Sequence, residues 1–457
     1  MDTQPYESAP LIRHPEIDPH DYSIQLLRRT FNLPRGEAAG KLWVSACQRF
    51  ELFVDGVMHA RGPSRSDPTR WHVALLDLPP LAAGRHVIAV RVIHWSRHAG
   101  IGQLGDEAFL LVAADDTSPS LRTAETSAAW RCMMDTSTAP VDLPVWVGEP
   151  PYYVSGCSDV VTARDLWVGW TDVGFDDERW EPAFEIASGW RNPWGRYPGE
   201  VILREDPLPQ MAGEPHEWVR SIEEPLYVQA GGSHDVVLDA GILVNAWPEI
   251  KVRGGAGARL SLVWSEAPYD AEGRKRPRDQ WSGAHFCGPV DEYLLDGREH
   301  TLSTTWFRSF RYLQLRVKGG STDLEIEWVR LSRTSFPLAT PKVLPVFGTH
   351  LRPEQERRIW DASWQTIRNC AHETIMDCPH YEQAQFPGDS RIQAIYHYAL
   401  CEDFRLGRKA IDDLHASRLP DGMLQCRFPS RQVQIIPTFG LYWIMMLEDF
   451  ARFSGEP

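Results

Sequence analysis

The sequence predicts a multidomain protein in which antiparallel β-sandwich modules come first and helices follow. Two observations carry this. Up to about residue 340, apolar residues recur at every second position in short runs bounded by Gly, Pro and Asp, the pattern of half-buried strands joined by tight turns. Past Pro337, Pro341 and Pro345 the apolar spacing becomes helical. Strands and helices segregated along a chain imply separate domains, not an alternating α/β fold. At 457 residues the chain can hold three or four domains with sizeable cores.

The first module is assigned to residues 1–115. Leu42-Trp43-Val44-Ser45-Ala46 and Phe50-Glu51-Leu52-Phe53-Val54 are β-rich runs, and Asp55-Gly56 supplies a hairpin turn. Residues 86–92 form a further strand behind Pro79, Pro80 and Gly84. Residues 116–212 are rich in Trp, Pro and Asp; they read as β or irregular structure, one reading being that they complete the first module. Within them, Asp172, Asp176 and Asp177 lack the register of an EF-hand, so turns with caps are expected there in preference to a calcium loop.

Residues 213–340 return to strands and form a second β-sandwich. The clearest runs are 235–239, 259–264, 312–317 and 324–329, most of them alternating with period two. Gly254-Gly255-Ala256-Gly257 lies between strands and opens no helix, so it reads as a hairpin connection and not as a dinucleotide fingerprint. Residues 271–288 are a charged insertion that could border a catalytic face.

Residues 341–457 are helical. Trp360, Trp364, Ile367 and Ala371 lie on one stripe of a helix that starts at Pro353 and Glu354. A second helix is expected from about Ser390, with Ile392, Ile395, Tyr396 and Ala399 on one face, and a third from Arg405 to Ser417. After the turn at Pro420-Asp421-Gly422, the spacing of Phe439, Trp443, Met446, Phe450 and Phe453 marks a fourth, stopped by Gly455. These stripes are most simply core. Trp443 is the member with a sugar-facing reading.

Composition narrows the function classes. A formal charge of −15 disfavours nucleic acid as a partner, since phosphate binding needs basic surface. Nineteen tryptophans and thirteen tyrosines suit sugar binding, in which C–H faces stack on rings. The eight cysteines are scattered singly, which argues against a zinc ribbon or a disulfide scaffold. No cofactor and no metal are expected. The first residues show neither a basic nor an apolar leader segment, and no run approaches bilayer length, so the expectation is a cytoplasmic protein without a membrane partner.

The richest stretch is Asp377-Cys378-Pro379-His380-Tyr381-Glu382-Gln383-Ala384-Gln385-Phe386-Pro387-Gly388-Asp389. Its three carboxylates fit no single helix face, and its prolines and glycine argue for a fixed loop whose side chains converge by folding. Each residue also has a plain structural reading. Asp377 could form an Asx turn, Asp389 could cap the following helix, and Glu382 could be a solvated charge. Those readings leave His380, Tyr381 and Phe386 without a reason for their company.

The stretch resembles the signature that opens the catalytic domain of bacterial alpha-L-rhamnosidases, glycoside hydrolase family 78. It has Asp377-Cys378-Pro379, then Glu382, an aromatic at Phe386, and Gly388-Asp389, in that order. The hairpin at residues 50–56 and the segment 175–180 also resemble the family's accessory β-modules, so the likeness covers nearly the whole chain. Where the family often has Arg near the Glu and Trp after it, this chain has His380, Tyr381 and Phe386. The departure bears on sugar preference more than on reaction type.

The resemblance implies that residues 341–457 begin an (α/α)6 toroid. Only four helices fit before Pro457, so the chain is expected to end about a third of the way through that domain. It further implies inverting hydrolysis of terminal rhamnose or a similar deoxy sugar, with Glu382 as general acid. Asp377, Asp389, Phe386, His380 and Trp443 would bind the sugar. The family's general base is a Glu later in the toroid, matched by nothing here, which leaves open whether this polypeptide alone is active. The uncovered helical segment would then self-associate or meet a partner chain. The alternative is a non-catalytic carbohydrate-binding protein built of the β-modules.

Overall fold

A computed structural model describes residues 6, 9–18, 21–36, 40–67, 70–98, 107–114, 118–141, 155–186, 202–341 and 351–456. The chain divides into two compact units. One comprises Met1–His98, Gly102–Thr136 and Asp165–Gln210; the other comprises Ala99–Ile101, Ser137–Arg164 and Met211–Pro457.

The first unit holds two six-stranded sheets among its described residues. One runs, in spatial order, Phe184–Ile186, Leu11–Arg13, Phe109–Ala113, Lys41–Ala46, Arg70–Asp77 and Ile202–Glu205. The other runs Glu181–Pro182, Arg131–Met134, Ser23–Leu33, Gly84–His94, Arg49–Val54 and Val57–Gly62. Alternation sends Ile12, Leu42, Val44 and Leu111 of the first sheet into the same apolar core as Leu27, Phe50, Leu52 and Val90 of the second. The expected hairpin turn at Asp55 and Gly56 has φ of 49° and 85°, the left-handed pair that a two-residue turn requires. Gly56 has a second reason to lack a side chain, because a Cβ there would lie 2.6 Å from Asp172 Oδ1.

The aspartates of the 172–180 segment have structural partners. The buried Arg28 guanidinium donates to Asp177 (3.0 Å) and to the carbonyls of Trp170 and Asp172, and it lies 4.9 Å from the Phe175 ring centre. Asp176 accepts the amide of Glu178 at 3.0 Å. One buried cation and one turn cap therefore hold this acidic loop.

The second unit is built on a ten-stranded sheet. Its main path is Thr138–Val141, Ser158–Thr162, Val290–Leu294, Arg259–Ser265, Arg308–Lys318, Ser233–Gly254, Leu324–Ser335 and Ala212–His216. Only the contact of Ser158–Thr162 with Val290–Leu294 along this path is parallel. The 254–257 glycine segment joins Ser233–Gly254 to Arg259–Ser265, but it is not the expected hairpin connection, because Arg308–Lys318 lies between those two strands and pairs with both.

Four α-helices follow among the described residues: α1 (Pro353–Cys370), α2 (Pro387–Tyr396), α3 (Arg405–Ala416) and α4 (Pro437–Ser454). Pro353 opens α1, where its missing N–H costs nothing, and Gln355 reaches back to the Arg352 amide at 3.0 Å. The far end of α1 is tied to the sheet. Gln365 and Asn369 both donate to the Leu243 carbonyl, at 3.0 and 2.7 Å. Met446 of α4 is buried, whereas Leu441 and Ile444 on its other side are each 57% exposed. An α-helix apolar on both sides is normally enclosed. No helix among the described residues is long and apolar enough to cross a membrane.

Candidate active site

The loop between α1 and α2 closes on itself. Asp377 and Ala384 exchange two hydrogen bonds, Asp377 N–H to the Ala384 carbonyl (2.8 Å) and Ala384 N–H to Asp377 Oδ1 (3.0 Å). Inside this ring the Gln383 amide donates to the Cys378 carbonyl at 3.0 Å, and Gln383 adopts φ +52°. A non-glycine residue in the left-handed region is uncommon and persists where its surroundings hold it. Gln385, which is buried, donates from Nε2 to Asp413 of α3 and to the Phe428 carbonyl, both at 3.0 Å. The loop is therefore braced against the helices as well.

Asp389 is not the N-cap of α2. Pro387 takes the first helical position, which proline's fixed φ favours, so Phe386 becomes the cap and Asp389 falls in the first turn. Its exposed carboxylate sits where the helix dipole stabilises negative charge.

Glu382 stands at the centre of the charged groups. Its Oε2 is sealed from water with no hydrogen-bond partner among the described residues. Burial, then the neighbouring Asp377 and Asp389, push its pKa up to about 7, against the pull of the Arg427 guanidinium. Burial and Asp389 also raise Asp377, although backbone N–H groups of Cys378 and Ala384 favour its charged form. Three carboxyl groups and one buried arginine thus act on one another, and Glu382 is the one held protonated near neutral pH.

A pH effect on stability follows from this. A carboxyl whose pKa is raised by folding stabilises the fold fully below its unfolded value and loses that contribution as pH rises through its folded one. The melting temperature of the protein relative to Glu382→Gln should therefore fall between about pH 4.5 and 7. Paired melts across that range check it; a constant difference would mean that Glu382 is not perturbed.

The remaining expected residues divide. Phe386 is half-buried beside the cluster, edge-on to Phe439 of α4 with ring centres 6.2 Å apart. His380 is 3% exposed and turned to the sheet, its Nδ1 2.5 Å from the Ser309 carbonyl oxygen. Trp443 is committed to α3, donating Nε1–H to the Ile411 carbonyl at 3.0 Å and stacking on His415. Three residues that local spacing could not reveal touch this site: Arg427, Glu266 and Trp306. Arg427 opposes the rise of Glu382; the other two reach its neighbours Tyr381 and Gln383 from the sheet.

Comparison with known proteins gives this arrangement a class. Residues 354–457 match the family model described as the bacterial alpha-L-rhamnosidase six-hairpin glycosidase domain. The chain is 26% identical over 196 residues to an alpha-L-rhamnosidase of Streptomyces avermitilis, covering 42% of this chain and 15% of that relative's length. In fold it resembles the family 78 rhamnosidase of Bacillus sp. GL1, with a TM-score of 0.79 at 16% identity over 98% of this chain and 67% of the other. The alpha-L-rhamnosidase of Dictyoglomus thermophilum gives a TM-score of 0.67 at 16% identity, over 96% and 48%. The chain is thus β-rich and multidomain, with a six-hairpin glycosidase segment at its C-terminal end. More particularly, the segment and the fold resemble those of the alpha-L-rhamnosidases of family 78, and the chain spans 15% of the length of the Streptomyces relative.

Proposed function

We propose that the protein hydrolyses terminal rhamnose, or a similar deoxy sugar, from glycosides by an inverting acid/base mechanism. The observation that carries this is the Glu382 carboxyl, half-buried, with one oxygen unpartnered and its pKa lifted to about 7. A general acid must still hold its proton near the working pH, and burial beside other carboxylates supplies that condition. Asp377 and Asp389 would accept hydrogen bonds from adjacent sugar hydroxyls, and Phe386 would pack on the C6 methyl group. His380 and Trp443 are read here as supports of the site. The water-activating base is assigned to no residue.

The finer architecture belongs to the same reading. The shared core of the two sheets in the first unit supports an accessory β-sandwich, and the matched helical segment supports the start of an (α/α)6 toroid. Eight cysteines scattered singly along the chain fit a reducing, cytoplasmic setting. The outward Leu441 and Ile444 would be the surface for a second copy or a partner chain.

The test is to follow an aryl alpha-L-rhamnoside by NMR from the first turnover. The β-anomer should appear first. The α-anomer appearing first would overturn the inverting mechanism. Binding of rhamnosides without hydrolysis, in a protein that contains the whole catalytic domain, would favour the non-catalytic carbohydrate-binding alternative.

A further inference from the structure

The two residues that flank Glu382 are both tied to turns at the ends of strands of the ten-stranded sheet, where Glu266 follows Arg259–Ser265 and Trp306 precedes Arg308–Lys318. Before it, Tyr381 donates its hydroxyl to Glu266, which also receives the Lys275 ammonium. After it, Gln383 accepts the indole N–H of Trp306 at 2.8 Å. The backbone is tied on the same side, since the Ser155 amide donates to the Tyr381 carbonyl at 3.3 Å.

We propose that the sheet positions the candidate acid, with Glu266 and Trp306 acting through Tyr381 and Gln383 to fix the direction in which Glu382 points. This rests on reading Glu382 as the acid. Glu266 and Trp306 are positioning residues, acting through their bonds to Tyr381 and Gln383. Their effect is geometric. With 381 and 383 pinned, and Gln383 in the left-handed conformation, the side chain between them is held where Asp377, Asp389 and Arg427 act on it.

The clamp has the rigidity the role needs. Glu266 is 6% exposed. Burial raises its carboxyl, and the facing His380, Lys275 and Tyr381 outweigh this, so the net shift is downward and the group is a carboxylate. Burial keeps His380 itself below its ordinary value, so Lys275 supplies the lasting counter-charge. Lys275 lies 4.9 Å from the centre of the Tyr381 ring, and the Tyr269 hydroxyl is 3.3 Å from the Tyr381 hydroxyl. On the Trp306 side, the cavity lined by Ser155, Trp306, His380 and Gln383 has a volume of only about 10 Å³. That is barely room for one water. Lys275 lies in the charged 271–288 segment, which thereby acquires a role beside the site.

The experiment uses the full 457-residue chain with ¹³C-labelled glutamate, Glu382→Gln identifying the resonance. In the wild type Glu382 should titrate near 7, and the 377–384 amides should exchange slowly. Tyr381→Phe, Glu266→Ala and Trp306→Phe should each lower that midpoint by about one unit or more as the carboxyl reaches water, and each should speed exchange of the loop. Glu266→Gln keeps an acceptor for the tyrosine hydroxyl and should reverse most of the effect seen with Ala. Variants that melt earlier while the Glu382 midpoint stays fixed would overturn the proposal, leaving these residues merely structural. A wild-type midpoint near the ordinary 4.5 would instead overturn the acid reading. In that case the exchange rates alone decide the clamp, and unchanged rates in all three variants would overturn it as well.

Discussion

Glu382→Gln should lower the turnover of a rhamnoside with a poor leaving group by about a hundredfold to ten-thousandfold, the range general acid catalysis supplies. The amide preserves size and most of the packing of the half-buried side chain but has no proton to give. Three accompanying results distinguish loss of an acid from loss of a fold. An activated aryl substrate, whose leaving group needs little protonation, should show a much smaller defect. KM should change little, since protonation of the departing oxygen belongs to the transition state. The wild-type rate should fall as pH rises through about 7, where Glu382 gives up its proton, and that limb should vanish in the variant. An unchanged rate on the poor substrate would remove Glu382 from the acid role. The neighbours enter the same way. Asp377→Asn removes one of the charges that raise Glu382, so it should shift the limb to lower pH while weakening sugar binding by about 1.5–3 kcal/mol, the loss typical of a hydrogen bond to a charged group.

Local pattern explains which parts of this molecule could be read from its sequence. β-rich apolar runs found the strands at Lys41–Ala46, Arg49–Val54 and Arg259–Ser265 to within a residue or so, because most of their residues are buried. Proline found the start of α1, and the same rule applied to Pro387 would have started α2 there and removed Asp389 from the capping position. Strand order was not legible. Ser158–Thr162 lies parallel to Val290–Leu294, a pairing that depends on folding across the chain and leaves no local spacing. The site divides on the same line. Asp377, Glu382 and Asp389 lie within one short stretch, whereas Arg427, Glu266 and Trp306 arrive from a late turn and from two strands' ends. The helical stripes show a related limit. Periodicity identified Met446 on an apolar face, but α4 is apolar on both sides, and only packing shows that Leu441 and Ile444 face outward.

The largest stability effect is expected at Arg308. Its guanidinium is enclosed between two fully buried carboxylates, donating to Asp291 at 2.8 and 2.6 Å and to Asp159 at 3.3 Å. The other lone pairs are also satisfied. Trp264 donates its indole N–H to Asp291 at 2.6 Å, and Thr305 donates its amide and hydroxyl to Asp159, each at 2.7 Å. Asp159 even donates its own backbone N–H to Asp291 at 2.7 Å. A buried pair of this kind adds little net stability over an apolar replacement, but removing one partner strands the others in a medium of low dielectric. Arg308→Met should therefore cost about 3–5 kcal/mol in unfolding free energy, measured by denaturant titration of tryptophan fluorescence. Asp159→Asn combined with Asp291→Asn in the Met background should recover part of the loss, because it removes the stranded charges. A loss below about 1 kcal/mol, typical of an exposed pair, would show that water reaches the cluster. The site shares in this result, since Arg308 also donates to the Trp306 carbonyl at 3.2 Å, and Trp306 is the residue whose indole holds Gln383. A variant that stays folded without Arg308 should then show faster amide exchange around Glu382 than its lowered stability alone accounts for, because the loosened strand carries one of the two anchors of that loop.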